Sequence, residues 1–439
     1  MKTYRFFLLA ALVGGVLQAA PAPATAPTPT QFDLNGAIRY ALDHNFDIRQ
    51  ARERIKQQEG VVLEVRSAEI PNVTASGSVQ LNDRDISTTV PQSDSTWGLT
   101  IRATQLIVGG GVRPAVRSAE LVKEAAILEL QAQINFSLFD VRTRFYDVLL
   151  NREKIKVQEQ NIDLLKQQLR ETTDRFNAGT VSAFEKLRSE VALANGQVPL
   201  ITARNDYRIA LEQLRQAVGL VSTPGVEAPL DVVGTLEFSP TDFDLDAALG
   251  AARAHRPELA RLERLVKANE EAVSSHRAGY YPNLSLFGGY QLGKGGTNRF
   301  EDSRNGFLVG LQSQWNIFDG RATAGRVAQA ASLLEQSKLA LGQQTLAIEV
   351  QVRQAVSGLQ EANELSQATQ KTVAQAEESL RLANARYQAG SATQLDVLTA
   401  QVDLTQARTN LLQAYYNYNT AFANFRTATG QADPVIAAP

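Results

Sequence analysis

Ala210-Leu-Glu-Gln-Leu-Arg-Gln-Ala-Val-Gly219 returns 211 residues further along the chain as Ala421-Phe-Ala-Asn-Phe-Arg-Thr-Ala-Thr-Gly430. The same offset sets Leu34 on Leu245, His44 on His255, Pro71-Asn72 on Pro282-Asn283 and Gly179 on Gly390. It slips once, since Val108-Gly-Gly110 meets Phe318-Asp-Gly320 at 210, which puts a one-residue insertion or deletion between Pro71 and Gly110. Chance similarity does not hold one spacing over so long a stretch. The chain is two copies of one domain-sized unit, 32–219 and 245–430, joined by 220–244 and followed by a short tail, 431–439.

Each unit opens with a helix, 33–69 or 244–280 with its lead-in turns, that stops at Pro71 or Pro282. Strict alternation follows. Leu284, Leu286, Gly288, Tyr290 and Leu292 oppose Ser285, Phe287, Gly289 and Gln291, and Val73, Ala75, Gly77, Val79 and Leu81 oppose Thr74, Ser76, Ser78 and Gln80. After a polar loop a second alternating run returns, Trp97, Leu99, Ile101 and Ala103 against Gly98, Thr100, Arg102 and Thr104. In the second copy Phe307, Val309, Leu311 and Trp315 oppose Leu308, Gly310, Gln312, Gln314 and Asn316. The pattern predicts two strand hairpins, 71–107 and 282–317, whose strands have the length of a tilted membrane-spanning strand, ~10 residues. One face is almost all Ser, Thr, Asn and Gln, as a watered lumen requires. Tyr280, Tyr281, Trp97, Trp315 and Phe318 stand at strand ends, where an interfacial girdle belongs. Four strands are too few to close a barrel, and hydrocarbon tolerates no open sheet edge, so such hairpins demand that several chains pool their strands.

A long helical tract comes next, Pro114 to Ala178 and Arg321 to Ala389. At 1.5 Å per residue such a helix reaches ~100 Å and needs a lateral partner. Apolar steps of three and four supply antiparallel seams: Val373, Ala376, Leu380, Ala383 and Tyr387 before a turn, then Leu395, Leu398, Val402, Thr405, Thr409, Leu412 and Tyr416 after it. The first copy has Ile155, Ile162, Leu165, Leu169 and Phe176, then Phe184, Leu187 and Val191, with Pro199 predicting a kink or break near Val198. The turns themselves are Arg175-Phe-Asn-Ala-Gly179-Thr-Val-Ser-Ala-Phe-Glu185-Lys-Leu187 and Arg386-Tyr-Gln-Ala-Gly390-Ser-Ala-Thr-Gln-Leu-Asp396-Val-Leu398. Gly179 and Gly390 suit the left-handed residue that ends a helix, and Ser182-x-x-Glu185 and Thr393-x-x-Asp396 resemble capping boxes that begin the next. Capping accounts for Glu185 and Asp396 without any further role.

Lys2 and Arg5 precede the apolar run 6–17, and Ala-x-Ala spacing follows at Ala20 to Ala24, so residues 1–24 read as a secretory signal peptide and 25–31 as a disordered lead-in. The run is shorter than the ~20 residues a spanning helix needs. With no Cys, disulfides, thiolate metal sites and a lipidated N-terminal Cys are excluded. A net charge of -2 gives no footprint for nucleic acid. The three His are scattered, and no catalytic spacing, cofactor motif, metal cluster or nucleotide-binding motif is present, so the chain does not read as an enzyme. A periplasmic coiled-coil adaptor or scaffold would use the helical hairpins but leaves the strands without a core to cover.

The duplicated plan and the tip motif resemble the TolC-like outer-membrane efflux proteins over roughly Phe32 to Gly430. The resemblance implies a mainly α fold with a small β part: a homotrimer whose subunits give four strands each to a 12-stranded outer-membrane barrel, continued across the periplasm by a helical tunnel. It implies an exit duct for an efflux pump or type I secretion system, docked on a periplasmic adaptor (membrane fusion protein) and an inner-membrane transporter, with no cofactor. It implies that Tyr387 and Asp396, with Glu185 in the first copy, narrow the tunnel entrance. Ala392 stands where such members carry Arg, and Thr399 where they carry a second Asp, so that lock is incomplete here. Residues 220–244 would form an equatorial region, kept small by the nine residues after Gly430.

Overall fold

The computed structural model describes residues 31–81, 83, 95–221, 230–241, 243–294, 303–431, 433 and 435. The signal segment, nearly all of the lead-in, most of both loops at the strand-hairpin ends, the middle of the connector and most of the tail lie outside the described residues. A two-residue strand, β1 (Gln31–Phe32), precedes α1 (Leu34–His44), α2 (Phe46–Arg66), β2 (Asn72–Leu81), β3 (Ser95–Val108), α3 (Val112–Asn177) and α4 (Ala183–Val218). After β4 (Asp231–Val232) the second copy repeats the order as α5 (Leu245–His255), α6 (Pro257–Arg277), β5 (Asn283–Lys294), β6 (Ser303–Gln314), α7 (Ala322–Gln388) and α8 (Gln394–Thr429). The molecule is mainly helical, with two small sheets.

The opening helix expected in each copy is two helices. Asn45 and Arg256 take extended backbone, ψ 130° and 115°, Arg256 because Pro257 disfavours the helical region before it. Asn45 caps α2 through Oδ1, which accepts from the backbone of Asp47 and Ile48, while its Nδ2 donates to the Ala217 carbonyl at 2.7 Å. Arg256 Nη1 donates to the Thr427 carbonyl at 2.9 Å. Each break receives the end of its copy's last helix. Gly219 and Gly430 have φ of 78° and 69°, and a Cβ there would come within 2.7 and 2.8 Å of the carbonyl carbons of His44 and His255. The repeat landmarks His and Gly are thus two sides of one backbone contact. The ring Nδ1 of His44 and of His255 pairs with a carbonyl four residues back, a structural role.

Both strand hairpins join one antiparallel sheet in the order β2-β3-β5-β6, with the copies meeting at β3–β5. Register sorts the side chains cleanly. Ala75, Ile101, Tyr290 and Phe307 line up across the four strands, as do Val73, Ala103, Gly288 and Val309. On the opposite face Ser76, Thr100, Gln291 and Gly306 form one row and Thr74, Arg102, Gly289 and Leu308 the next. The apolar face covers nothing in the chain: Val79 and Phe307 are 80% and 87% exposed. β6 ends at Gln314, so Trp315 leaves the strand pattern, and its indole donates to the Tyr280 carbonyl at 3.1 Å. Tyr280, Tyr281, Trp315 and Phe318 are exposed where helices meet strands, whereas Trp97 lies near the other end of the sheet, opposite Val79.

The helices pack around two apolar clusters, one per copy. Ile38, Val141, Phe145, Leu149, Leu214 and Val218 gather α1, α3 and α4, and Ile348, Val352, Leu359, Tyr418 and Phe425 gather α7 and α8 under α5. The connector serves both, with Leu230, Val232 and Leu236 in the first cluster and Phe238 and Phe243 against the second. Its β4 pairs in parallel with β1, and Arg152 donates to the carbonyls of Val232 and Gly234.

Two helical expectations are corrected. α4 runs unbroken through Pro199. Gly196 sits one turn before the proline and lets the helix lie against α3, where a Cβ would meet Leu165 Cδ1 at 2.7 Å. The seam of α8 is also out of phase with the one expected: Val397, Ala400, Leu404, Ala407 and Ala414 are buried, while Leu395 and Val402 are exposed. Small residues set this phase by letting helices approach closely, as where Ser366 Oγ on α7 reaches the Ala414 carbonyl of α8 at 3.3 Å. On α4 the predicted Phe184, Leu187 and Val191 are exposed and continue as Val198, Ile201 and Ile209. That heptad-like stripe faces away from its own chain.

Candidate functional site

At the end of the rod away from the sheet, two helical hairpins turn and meet. α3 ends through Gly179, φ 73°, with Thr180 N–H donating to the Arg175 carbonyl at 2.9 Å, and α7 ends through Gly390, φ 72°, with Ser391 N–H donating to Arg386 at 2.9 Å. Each is a six-to-one closure with glycine in the left-handed position, as the sequence predicts. No atom lies within 4 Å of a Cβ built at either glycine, so backbone conformation alone selects them.

The following helices start differently in the two copies. Thr393 and Asp396 form a reciprocal capping box: Thr393 N–H donates to Asp396 Oδ2 at 2.7 Å, and Asp396 N–H donates to Thr393 Oγ1 at 3.3 Å. The Thr393 backbone and hydroxyl bonds hold the Asp396 carboxyl below the usual carboxylate range. In the first copy Ser182 caps the Glu185 N–H at 3.3 Å, but the Glu185 side chain does not return the bond. Glu185 keeps its carboxylate for other partners, whereas Asp396 is committed to its turn.

Tyr387 is buried, with Leu380, Val397, Ala400 and Leu404 of its own hairpin and Leu164 of the other. The Arg175 guanidinium of the first copy lies over its ring, 4.6 Å from the centroid, and is anchored by Glu171 at 2.7 Å. The phenol hydroxyl is enclosed and makes no well-formed hydrogen bond. Burial pushes its pKa up, the Arg175 cation opposes the rise, Glu185 and Glu171 add to it, and a weak contact of Arg175 with the hydroxyl lowers it slightly. Tyr387 therefore joins the hairpins through its ring face. The structure brings Tyr387 near Glu185 electrostatically and leaves Asp396 in its own cap.

Beside this contact lies a polar node. Gln394 Nε2, from the first turn of α8, donates to Thr172 Oγ1 on α3 at 3.2 Å and to Ser189 Oγ on α4, while Ser189 donates to Thr172 at 3.2 Å. All three side chains are buried, and Gln394 Oε1 and the neighbouring Gln168 Nε2 have no hydrogen-bond partner. Sequence reasoning missed both this node and Arg175. Thr172, Ser189 and Gln394 break an apolar rhythm at positions that turn inward, a signal visible only once the helix phases are known. Higher up, Arg408 of α8 bridges Gln160 of α3 at 3.0 Å and Glu377 of α7 at 2.8 Å across a groove of about 550 Å³. The α3–α8 seam is thus fastened by a few polar contacts and one small apolar cluster.

Among the described residues no helix is long and apolar enough to cross a membrane, and no group of His, Asp or Glu is placed to hold a metal. A family model described as outer membrane efflux protein matches residues 37–220 and 248–431, one match per copy. Nodulation protein T of Rhizobium leguminosarum bv. trifolii is 23% identical over 373 residues, covering 84% of this chain and 79% of that one. Outer membrane efflux protein BepC of Brucella suis biovar 1 is 25% identical over 380 residues, covering 84% and 78%. The crystal structure of the outer membrane protein VceC from Vibrio cholerae superposes with a TM-score of 0.77 at 18% identity, over 90% of this chain and 96% of that one.

Proposed function

The chain belongs to the outer membrane efflux protein family, and on that premise we propose that three copies pool their sheets into a 12-stranded barrel and their helices into one tunnel. It is an outer-membrane channel with a periplasmic extension and no enzymatic activity. The observation that carries the trimer reading is the sheet: four strands, one continuous apolar face, and two free edges, β2 and β6. β2 and β6 run antiparallel, because three antiparallel steps separate them. Joining β6 of one copy to β2 of the next therefore continues the same pattern and removes every edge, as a bilayer requires. The bare stripe on α4 supports the same closure, since it needs a helix from another copy. Arg102, near the middle of β3, supports the assignment of faces: a midplane Arg on the lipid side would cost about 2–4 kcal/mol.

The duct conducts passively, with energy supplied by an inner-membrane transporter reached through a periplasmic adaptor. The tips form the gate. Tyr387 is its hub, Glu185 its unengaged carboxylate, and Asp396 keeps the second tip folded. Opening separates the hairpins along α3 and α8. The test is purified protein in detergent and in planar bilayers. A heat-sensitive trimer that conducts, and changes conductance when Arg175 and Glu185 are replaced, supports the reading. A water-soluble monomer with no channel activity overturns it in favour of a periplasmic scaffold.

A further inference from the structure

The four strands contain no Asp or Glu; their only charged residues are Arg102, Lys294 and Arg304. The acids of this region, Asp83, Asp85, Asp94, Glu301 and Asp302, all fall in the connecting segments. Lys294 shares the apolar face near a strand end, and Arg304 lies opposite Gly293 at the corresponding end of the polar face. Arg102 alone places a cation in the middle of the polar face.

Its setting is specific. The guanidinium carbon lies 4.1 Å from the centroid of the Phe287 ring, and Nε is enclosed without a hydrogen-bond partner. Phe287 occupies space that glycine leaves on the next strand, since a Cβ on Gly310 would come within 2.7 Å of Phe287 Cζ. Gly289, opposite Arg102 in the register, lets the two strands approach closely there; a Cβ on it would collide with the Ile101 carbonyl oxygen and come within 3.2 Å of Arg102 Cα. Gly310 thus leaves a seat for an aromatic ring on a largely polar wall, and the ring holds the cation in place of a carboxylate.

We propose that Arg102 and Phe287 form an anion-selecting seat in the lumen, one per copy. The inference rests on the barrel reading. In a closed barrel the seats form a ring at one level, and a low-dielectric wall focuses their field on the channel axis. With no acid on the strands to neutralise it, the ring favours anions, and the planar guanidinium and phenyl faces favour aromatic anions such as sulfonates and carboxylates.

The probe is pyrenetetrasulfonate, added on the barrel side of single channels in a planar bilayer. Wild-type current should be blocked in a saturable way. Arg102→Gln should raise the half-blocking concentration at least tenfold, Arg102→Lys should fall between, and Lys294→Gln should match wild type. Equal block of wild type and Arg102→Gln overturns the seat, as does an equal loss in Lys294→Gln. A protein that stays monomeric and carries no current even with Arg175→Ala in the tips overturns the barrel, and with it the seat.

Discussion

Replacing Tyr387 by Phe and Arg175 by Ala should have opposite consequences at the tips. The Tyr387 hydroxyl is enclosed and makes no well-formed hydrogen bond, Arg175 alone approaching it, so removing it takes away a desolvation cost and at most a weak contact. The gain is up to about 1 kcal/mol, in favour of the arrangement seen here. Arg175→Ala removes the cation over the ring, about 0.5–2 kcal/mol. Its ion pair with Glu171 lies within α3 and is the same whether the hairpins are joined or apart, so it does not enter this equilibrium. That loss, about 0.5–2 kcal/mol, shifts a two-state tip equilibrium roughly 2- to 30-fold toward separated hairpins. Single-channel recording reads this as the fraction of time in the larger conductance, with trimer thermal stability measured alongside. Opening by Tyr387→Phe equal to that of Arg175→Ala would refute the reasoning, because the hydroxyl would then be the lock.

Gly219→Ala and Gly430→Ala each force a left-handed backbone and a collision with the preceding helix break, and should destabilise by about 2–5 kcal/mol in thermal unfolding. Gly179→Ala and Gly390→Ala meet open space and should lose only the backbone part, about 1–2 kcal/mol. Gln394→Leu should separate the hairpins more readily than Gln168→Leu, since only Gln394 bonds to Thr172 and Ser189; hydrogen exchange of α8's first turn measures it. The Asp396 pKa is depressed in the folded tip, so its stabilisation is present above the ordinary carboxylate value of about 3.9 and lost as pH falls through the lowered one. An acid-dependent increase in exchange at 393–397 should therefore appear only below that ordinary value, and should vanish in Asp396→Ala.

Much of this architecture was legible in the sequence because its signals are local and doubled. Alternation after Pro71 and Pro282 gave the strands within a few residues, and glycines at one offset marked turns and helix ends. Where a signal depended on which neighbour a helix meets, reading failed. The larger Leu395 and Val402 looked like the α8 seam, yet the smaller Ala400, Ala407 and Ala414 win the close contact. Pro199 looked like a kink or break, but α4 continues through it, with Gly196 set close against α3. Asn45 looked like helix interior, because the carbonyl it serves, on Ala217, lies far along the chain. At the tips the motif pointed to Tyr387, which the structure buries between the hairpins, but its neighbour Arg175 and the Thr172–Ser189–Gln394 node depend on how two distant hairpins are phased.

The central claim is that β6 of one copy pairs with β2 of the next. Within one chain these edges are separated by two intervening strands, ~14 Å apart at ~4.8 Å per strand, beyond the ~7 Å limit for Cα atoms joined by a disulfide. Cysteines scanned over 72–80 on β2 and 304–312 on β6, in a chain that has none of its own, can therefore cross-link only between copies. Oxidation in membranes should give a ladder that ends at the covalent trimer for pairs in register. Monomers at every pair, or a ladder that continues past three, would contradict the account.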